Sequence, residues 1–190
     1  MSSPRPTRAE VADVANAIFD GTDAIMLSAE TSIGKYPAEA TAMMDQIARE
    51  TEAALPYERL LLEKGADLVP VTDDAISYDA CHAAQQLGAA AIVAHTDSGS
   101  TARRVSKYRP RVPILAITPR KSTCKQLALS WGVHPYQVTG VSSVEGLFAQ
   151  AVKLAGETGV ARSGDLIVIT AGVPIGVPGS TNLLKVERVP

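Results

Sequence analysis

Ala90-Ala-Ile-Val-Ala-His95-Thr-Asp-Ser-Gly-Ser-Thr101 decides how this chain folds. Its first six residues are a short apolar run between turn signals, the pattern of a strand buried on both faces. The loop that follows packs four hydroxyls around Gly99, and Ser100 to Tyr108 then reads as a helix. Strand, polar loop and helix recur on either side of this stretch. Asp73 to Leu87 is a predicted helix ending at Gly88. Pro113–Thr118, His134–Val138 and Asp165–Ala171 are predicted strands. Helices are predicted from about Ser122 to Trp131 and from Ser143 to Ala155, the second closed by Gly156. Such alternation specifies an α/β fold with a mainly parallel open sheet and helices on both faces. The last strand, Thr181–Val189, alternates polar and apolar residues as an edge strand does. About ten residues separate it from the strand before, too few for a helical crossover, so it is expected to run antiparallel.

Upstream the pattern changes. Thr7-Arg-Ala-Glu10 is a capping box, in which each side chain satisfies an open backbone N–H of the other residue. Val11, Val14, Ala15 and Ile18 continue at helical spacing, and Gly21 is a stop signal. Asp23-Ala-Ile-Met-Leu-Ser28 reads as a buried strand, and Tyr36-Pro37 opens another helix toward Ala54. The expected organisation is a helix–strand–helix piece over 1–55, a linker over 56–70 in which a second amphipathic helix covers Tyr57 to Lys64 after Pro56, and an α/β domain over 71–190.

Composition narrows the function classes. The chain has 190 residues, 46% of them hydrophobic and 20% charged, which suits a soluble globular protein with a sizeable core. A net charge of -2 gives no general attraction to nucleic acid or anionic membrane. No apolar run approaches the roughly 20 residues that span a bilayer, and the first residues lack the apolar core of a signal peptide. Two cysteines, Cys81 and Cys124, are expected to be reduced thiols in a cytoplasmic protein. Three His and two Cys without ligand spacing give no metal site.

Three loops at the C-terminal ends of strands can carry chemistry, because ligands of open α/β sheets gather there. His95–Thr101 offers hydroxyls and free N–H groups at a helix start, which favours an anion; an ordinary Ser/Thr cap needs the same residues. Asp97 adds a like charge and counts against phosphate. Thr118-Pro-Arg-Lys-Ser122 is basic, and Arg120 or Lys121 is placed to face an anion or only solvent. Gly172-Val-Pro-Ile-Gly-Val-Pro-Gly-Ser-Thr181 is long for a plain strand connection and tilts toward a binding loop. Ser28 and Glu30, after the predicted upstream strand, carry groups fit for acid–base or orienting work, and local capping explains them equally well.

Three blocks carry a family resemblance. The first is Pro4-Arg-Pro-Thr-Arg-Ala-Glu-Val11 running on to Asp13-Val-Ala-Asn-Ala17 and Met26-Leu-Ser-Ala-Glu-Thr31. The second comprises Thr96-x-Ser-Gly-x-Thr-Ala102, Val105-x-x-Tyr-Arg-Pro110 and Pro113-Ile-Leu-Ala-Ile-Thr118. The third is Gly164-Asp-Leu-Ile-Val-Ile-Thr170 with the loop to Asn182. On these the chain resembles pyruvate kinase from Pro4 to about Val189. The resemblance implies that residues 1–55 correspond to the end of a (β/α)8 TIM barrel, and the rest to the C-terminal allosteric domain. It implies an effector site at Thr96, Ser98, Gly99, Ser100, Thr101, Gly176, Gly179, Ser180 and Thr181. The ligand would be a sugar phosphate or nucleotide monophosphate. It also implies a homo-oligomer formed through the C-terminal edge strand. The family's catalytic Lys and its magnesium and potassium ligands correspond to positions before Pro4. Ser28 and Glu30 would then be vestigial barrel-end groups, with no cofactor in this chain and magnesium and potassium used by the complete enzyme. Ala29 departs from the family's Gly in Ser-Gly-Glu-Thr. The expected role is effector binding and assembly in a glycolytic phosphotransferase, with this chain inactive alone. The alternatives are a free-standing phosphometabolite-binding module or an oligomerisation domain.

Overall fold

The protein was analysed as a computed structural model, which describes residue 3, residues 5–177 and residues 179–190. Met1, Ser2 and Pro4, together with Pro178 of the expected Gly/Pro loop, lie outside the described residues. The chain divides into two units, Met1–Pro56 and Tyr57–Pro190.

In the N-terminal unit, α1 (Arg8–Phe19) starts at the capping box. The Thr7 amide donates to the Glu10 carboxylate at 2.7 Å, and the Glu10 amide donates to Thr7 Oγ1 at 3.3 Å. A single turn, α2 (Ala29–Ser32), precedes α3 (Pro37–Ala54), which begins with Pro37 as its first residue. No strand forms over Asp23–Ser28, where the chain is irregular. A parallel strand needs hydrogen-bonded neighbours, and no strand lies among the described residues of this unit. Met26 is 83% exposed as a result. Only Ile18, Thr51 and Leu55 are buried among the described residues here. A cavity of about 510 Å³ lies open between α1 and α3, lined in part by Val14, Leu27, Met43, Met44 and Ile47. The apolar positions that the sequence sets aside for a core are therefore only half covered.

The C-terminal unit is built differently. Its elements are α4 (Tyr57–Ala66), α5 (Thr72–Leu87), β1 (Ala91–His95), α6 (Ser100–Lys107), β2 (Ile114–Thr118), α7 (Lys121–Leu127), β3 (Val133–Gln137), α8 (Val144–Glu157), β4 (Leu166–Gly172) and β5 (Thr181–Arg188). Within the expected linker over 56–70 the expected helix forms as α4 and buries Leu61 in the core beside α5. The sheet order is β3-β2-β1-β4-β5, with the first four strands parallel and β5 antiparallel to β4. Successive side chains of a strand point to opposite faces. Ile92 and Ala94 therefore pack with Cys81 and Ala84 of α5, Val105 of α6 and Leu127 of α7. Ala91 and Val93 pack with Ala151, Leu154 and Ala155 of α8.

Two helix ends differ from expectation. α7 ends at Leu127 rather than Trp131, in turns where the amides of Leu129 and Ser130 donate to Gln126 and Leu127 carbonyls. α8 runs through Gly156 to Glu157, and Gly159, with a φ of 70°, follows as the left-handed residue that glycine adopts without a Cβ clash. Cys81 is a packing residue: it is buried, and burial pushes its thiol up, away from thiolate chemistry.

An ion-pair network fastens α5 to α6. Asp74, almost fully buried, accepts from the Val69 amide at 2.8 Å and from Lys107 Nζ at 2.9 Å, while Arg104 pairs with Asp73. Burial acts to raise the Asp74 carboxyl, but the hydrogen bonds from Lys107 and Val69 outweigh it and hold the group below its usual range. Asp74→Ala removes the acceptor of the Val69 amide and leaves Lys107 with the Tyr108 hydroxyl, and is expected to lower stability by about 2 kcal/mol, read by urea denaturation. A loss below roughly 0.5 kcal/mol would show that water replaces the carboxylate.

Candidate functional site

The chain leaves β1 toward one side of the sheet, through α6 to β2, and later returns on the other side, through α8 to β4. The strand order therefore reverses at the β1/β4 boundary, and loops leaving neighbouring strands there diverge to opposite faces. A cleft opens at this point, and it takes up about 130 Å³.

Three loops wall it. The first is the hydroxyl loop between β1 and α6. Thr96 is buried and its Oγ1 accepts from the Gly99 amide at 2.9 Å, closing a tight turn. Gly99 has a φ of 88°, and a Cβ there would run into Arg103 and Leu127, so the turn needs glycine. Ser98 Oγ donates to Ser100 Oγ at 3.2 Å. The second is the Gly/Pro loop between β4 and β5. Asn182 braces its base, accepting from the Val173 amide at 2.9 Å and donating to the Val173 carbonyl at 2.7 Å. Gly176 and Gly179 have φ values of 87° and 75°, and Ser180 Oγ donates to the Val177 carbonyl at 2.7 Å. The two loops are joined by a buried hydroxyl pair, Thr101 Oγ1 to Thr181 Oγ1, at 2.7 Å. Of the expected effector residues, Thr96, Ser98, Ser100, Thr101, Gly176, Gly179, Ser180 and Thr181 all line the cleft, and Gly99 shapes the turn beneath them.

The third wall was not singled out from the sequence. Val138, Thr139, Gly140 and Val141, from the connection between β3 and α8, line the cleft with Leu147 and Gln150 of α8. Gln150 Nε2 donates to the Thr139 carbonyl at 3.0 Å. His95, at the end of β1, also faces in; its Nε2 lies 2.9 Å from the Leu147 carbonyl. Burial pushes the His95 imidazole down to about 4, partly opposed by that hydrogen bond, so the ring is neutral near pH 7. The Val-Thr-Gly-Val-Ser-Ser run before α8 had the same hydroxyl and glycine content as the other loops, and was the available signal.

The charge of Asp97 is accounted for. Arg120 embraces its carboxylate with two contacts, Nε to Oδ1 at 2.7 Å and Nη2 to Oδ2 at 2.6 Å. Thr123 Oγ1 holds the Asp97 carbonyl at 2.9 Å. Arg120 of the basic loop thus neutralises the carboxylate of its neighbour rather than facing an anion.

Ser28 and Glu30 belong to the N-terminal unit. The Glu30 carboxylate accepts from the Ser28 amide at 2.9 Å, and hydrogen bonds from the Glu30 and Ser28 amides hold it below the ordinary range. Its observed work is to cap one helical turn. Among the described residues no group of three or more His, Cys, Asp or Glu is arranged to hold a metal ion.

An α/β unit with a hydroxyl-lined cleft at its strand-order reversal is a domain of the doubly wound type. Residues 74–187 match the family described as pyruvate kinase, alpha/beta domain, and residues 1–41 match its barrel domain. The chain belongs to the pyruvate kinase family. It is 50% identical over 189 residues to pyruvate kinase of Clostridium acetobutylicum, covering 100% of this chain and 40% of that protein. It is 49% identical over 187 residues to that of Geobacillus stearothermophilus, covering 98% of this chain and 32% of the relative. A crystal structure of a Cryptosporidium parvum pyruvate kinase superposes with a TM-score of 0.91 at 34% identity, over 100% of this chain and 37% of the other. The chain thus spans less than half the length of the relatives it matches. The barrel match over residues 1–41 also accounts for the half-covered apolar positions of the N-terminal unit, since a barrel segment is shaped to pack among other strands and helices. No helix among the described residues is long and apolar enough to cross a membrane.

Proposed function

We propose that this chain serves a pyruvate kinase as its regulatory and assembly part, holding a phosphorylated small molecule in the cleft of the C-terminal unit. One observation supports this above the others: the hydroxyl loop and the Gly/Pro loop, 80 positions apart in sequence, meet through Thr101 and Thr181 at the strand-order reversal. A phosphate there would gain the N-terminal dipole of α6 and the hydroxyls of Ser98, Ser100 and Ser180. In the complete kinase, phosphoryl passes from phosphoenolpyruvate to ADP with magnesium and a monovalent cation. Such transfer depends on positioned cations and charge stabilisation, which the described residues do not assemble. The chain alone is therefore expected to show no turnover in a coupled pyruvate assay.

Binding is tested by melting. A ligand specific to the native state stabilises by about 2.7 kcal/mol at a hundredfold excess over its Kd, so a sugar phosphate or nucleoside monophosphate is expected to raise the Tm by several degrees. No shift with any of them would remove the proposal.

Assembly has its own support. Among the described residues β5 pairs with β4 alone and stands at the sheet edge, whereas the opposite edge strand, β3, carries Pro135 with no N–H to offer. A two-fold pairing of β5 with a second β5 would extend the sheet. Sedimentation showing only monomer at micromolar concentration would contradict it.

A further inference from the structure

We propose that the outer face of α7 is a docking surface for a partner protein, and that it takes a helical acidic segment with two carboxylates one turn apart and an apolar residue one turn beyond. The cleft plays no part in this.

The starting point is a gap in the charge pattern. No Asp or Glu stands between Asp97 and Glu145, while the same span carries basic residues from Arg103 to Lys125. Several of these cations are answered from elsewhere. Arg104 pairs with Asp73, Lys107 with Asp74 and Arg120 with Asp97. Arg103 Nη2 donates to the Ser98 carbonyl, and Arg109 and Arg111 lie over the Trp131 and Tyr57 rings. Lys121 and Lys125 are left. Both are exposed, and among the described residues neither has an ion-pair partner.

Their placement is specific. Thr123 and Leu127 are the buried residues of α7. Lys121 and Lys125 stand two positions before them, about 200° around the helix, and so point away from the core. Residues four apart are neighbours on a helix surface, where an opposite pair is stabilising and a like pair destabilising. On α3, α4 and α8 such pairs are opposite: Asp45 with Arg49, Arg59 with Glu63 and Lys153 with Glu157. On α6 the like pair Arg103 and Lys107 is relieved by Asp74. On α7 the like pair is unrelieved. Four residues after Lys125 comes Leu129, 70% exposed, the most exposed large apolar side chain among the described residues of this unit. Ala128 before it keeps a helical backbone, so Leu129 extends the lysine stripe.

Two cations and one apolar group in a row call for the complementary row. Carboxylates four apart on a partner helix match the lysine spacing, and an apolar residue a turn further covers Leu129. A long polyanion is a poorer match. Only two lysines are free on this face, and the chain's net charge of -2 repels anions beyond it.

The test is fluorescence anisotropy of the whole chain with a labelled helical peptide bearing two Glu four apart and Leu four beyond. The peptide is expected to bind, more weakly as salt rises from about 50 to 300 mM, and its Glu→Gln counterpart at least about tenfold more weakly. Lys125→Glu replaces the like pair by an opposite one, so the Tm is expected to hold or rise while peptide affinity falls at least about tenfold. Leu129→Ser is expected to weaken binding about three- to tenfold with the salt dependence unchanged. Equal binding of the Lys125→Glu variant, or no binding of the acidic peptide at all, would overturn the proposal. Tighter binding of a single-stranded oligonucleotide or of phosphatidylserine vesicles than of the peptide would overturn the partner class. None of these outcomes bears on the melting test of the cleft.

Discussion

Acidification from pH 7 to pH 4 is expected to cost the C-terminal unit about 3 kcal/mol through His95 alone. In the folded chain the imidazole stays neutral down to about 4, because it is buried beside the α8 backbone. In the unfolded chain it takes up its proton near 6.5, the ordinary value. Between these two values the unfolded state binds more protons, so stability rises with pH and is lost as pH falls. The window matters for assignment. Carboxylates held low, such as Asp74, lose their contribution only on descending below the ordinary carboxylate range. A fall in urea midpoint between pH 6.5 and 4.5 therefore reports His95. His95→Gln keeps a donor for the Leu147 carbonyl without a titrating ring and is expected to flatten that slope. An unchanged slope in this variant would show that another group titrates.

Leu127→Ala is the second large effect. Leu127 is fully buried on the face covered by α5, α6 and α7, and its side chain lies directly under Gly99. Truncation of a buried Leu costs about 2–5 kcal/mol, depending on how far the site collapses. The cavity would open beneath the turn that Thr96 and Gly99 form, so the loop bearing Ser98 and Ser100 loses its floor. The expected result in a guanidinium titration is a lower midpoint with an unchanged m-value, accompanied by weaker ligand binding than stability loss alone explains. Leu127→Met, close in volume, is expected to cost less than about 1.5 kcal/mol. Equal losses from both substitutions would count against the packing argument.

What could be read from the sequence follows the range of the forces involved. Strands such as Ala91–His95 and Leu166–Gly172 announce themselves because both faces are buried and the whole run is apolar. The capping box at Thr7 and the glycine after Leu87 are local devices and were equally plain. The antiparallel β5 followed from the length of one connection. Asp23–Ser28 shows the limit: its composition suits a buried strand, but a strand exists only with neighbours to pair with, and residues nearby in sequence do not supply them. The site divides the same way. Thr96, Ser98, Ser100 and Thr101 stand together in one loop and were visible as a hydroxyl cluster before a helix. The pairing of Asp97 with Arg120 spans 23 residues and reverses the apparent charge of the loop. Gln150 enters the cleft from a helix covering the opposite face from α6. No periodicity or spacing in the sequence reports that.

Amide chemical-shift mapping during titration with a hexose 6-monophosphate tests the proposed effector cleft most directly. Saturable shifts are expected at Gly99, Ser100 and Thr101, at Gly176 and Gly179 to Thr181, and at the Gln150 side-chain amide, with little change in β3 or α4. Shifts confined to exposed cations such as Lys121 and Lys125, or no saturable shifts at all, would contradict a binding cleft at the β1/β4 boundary.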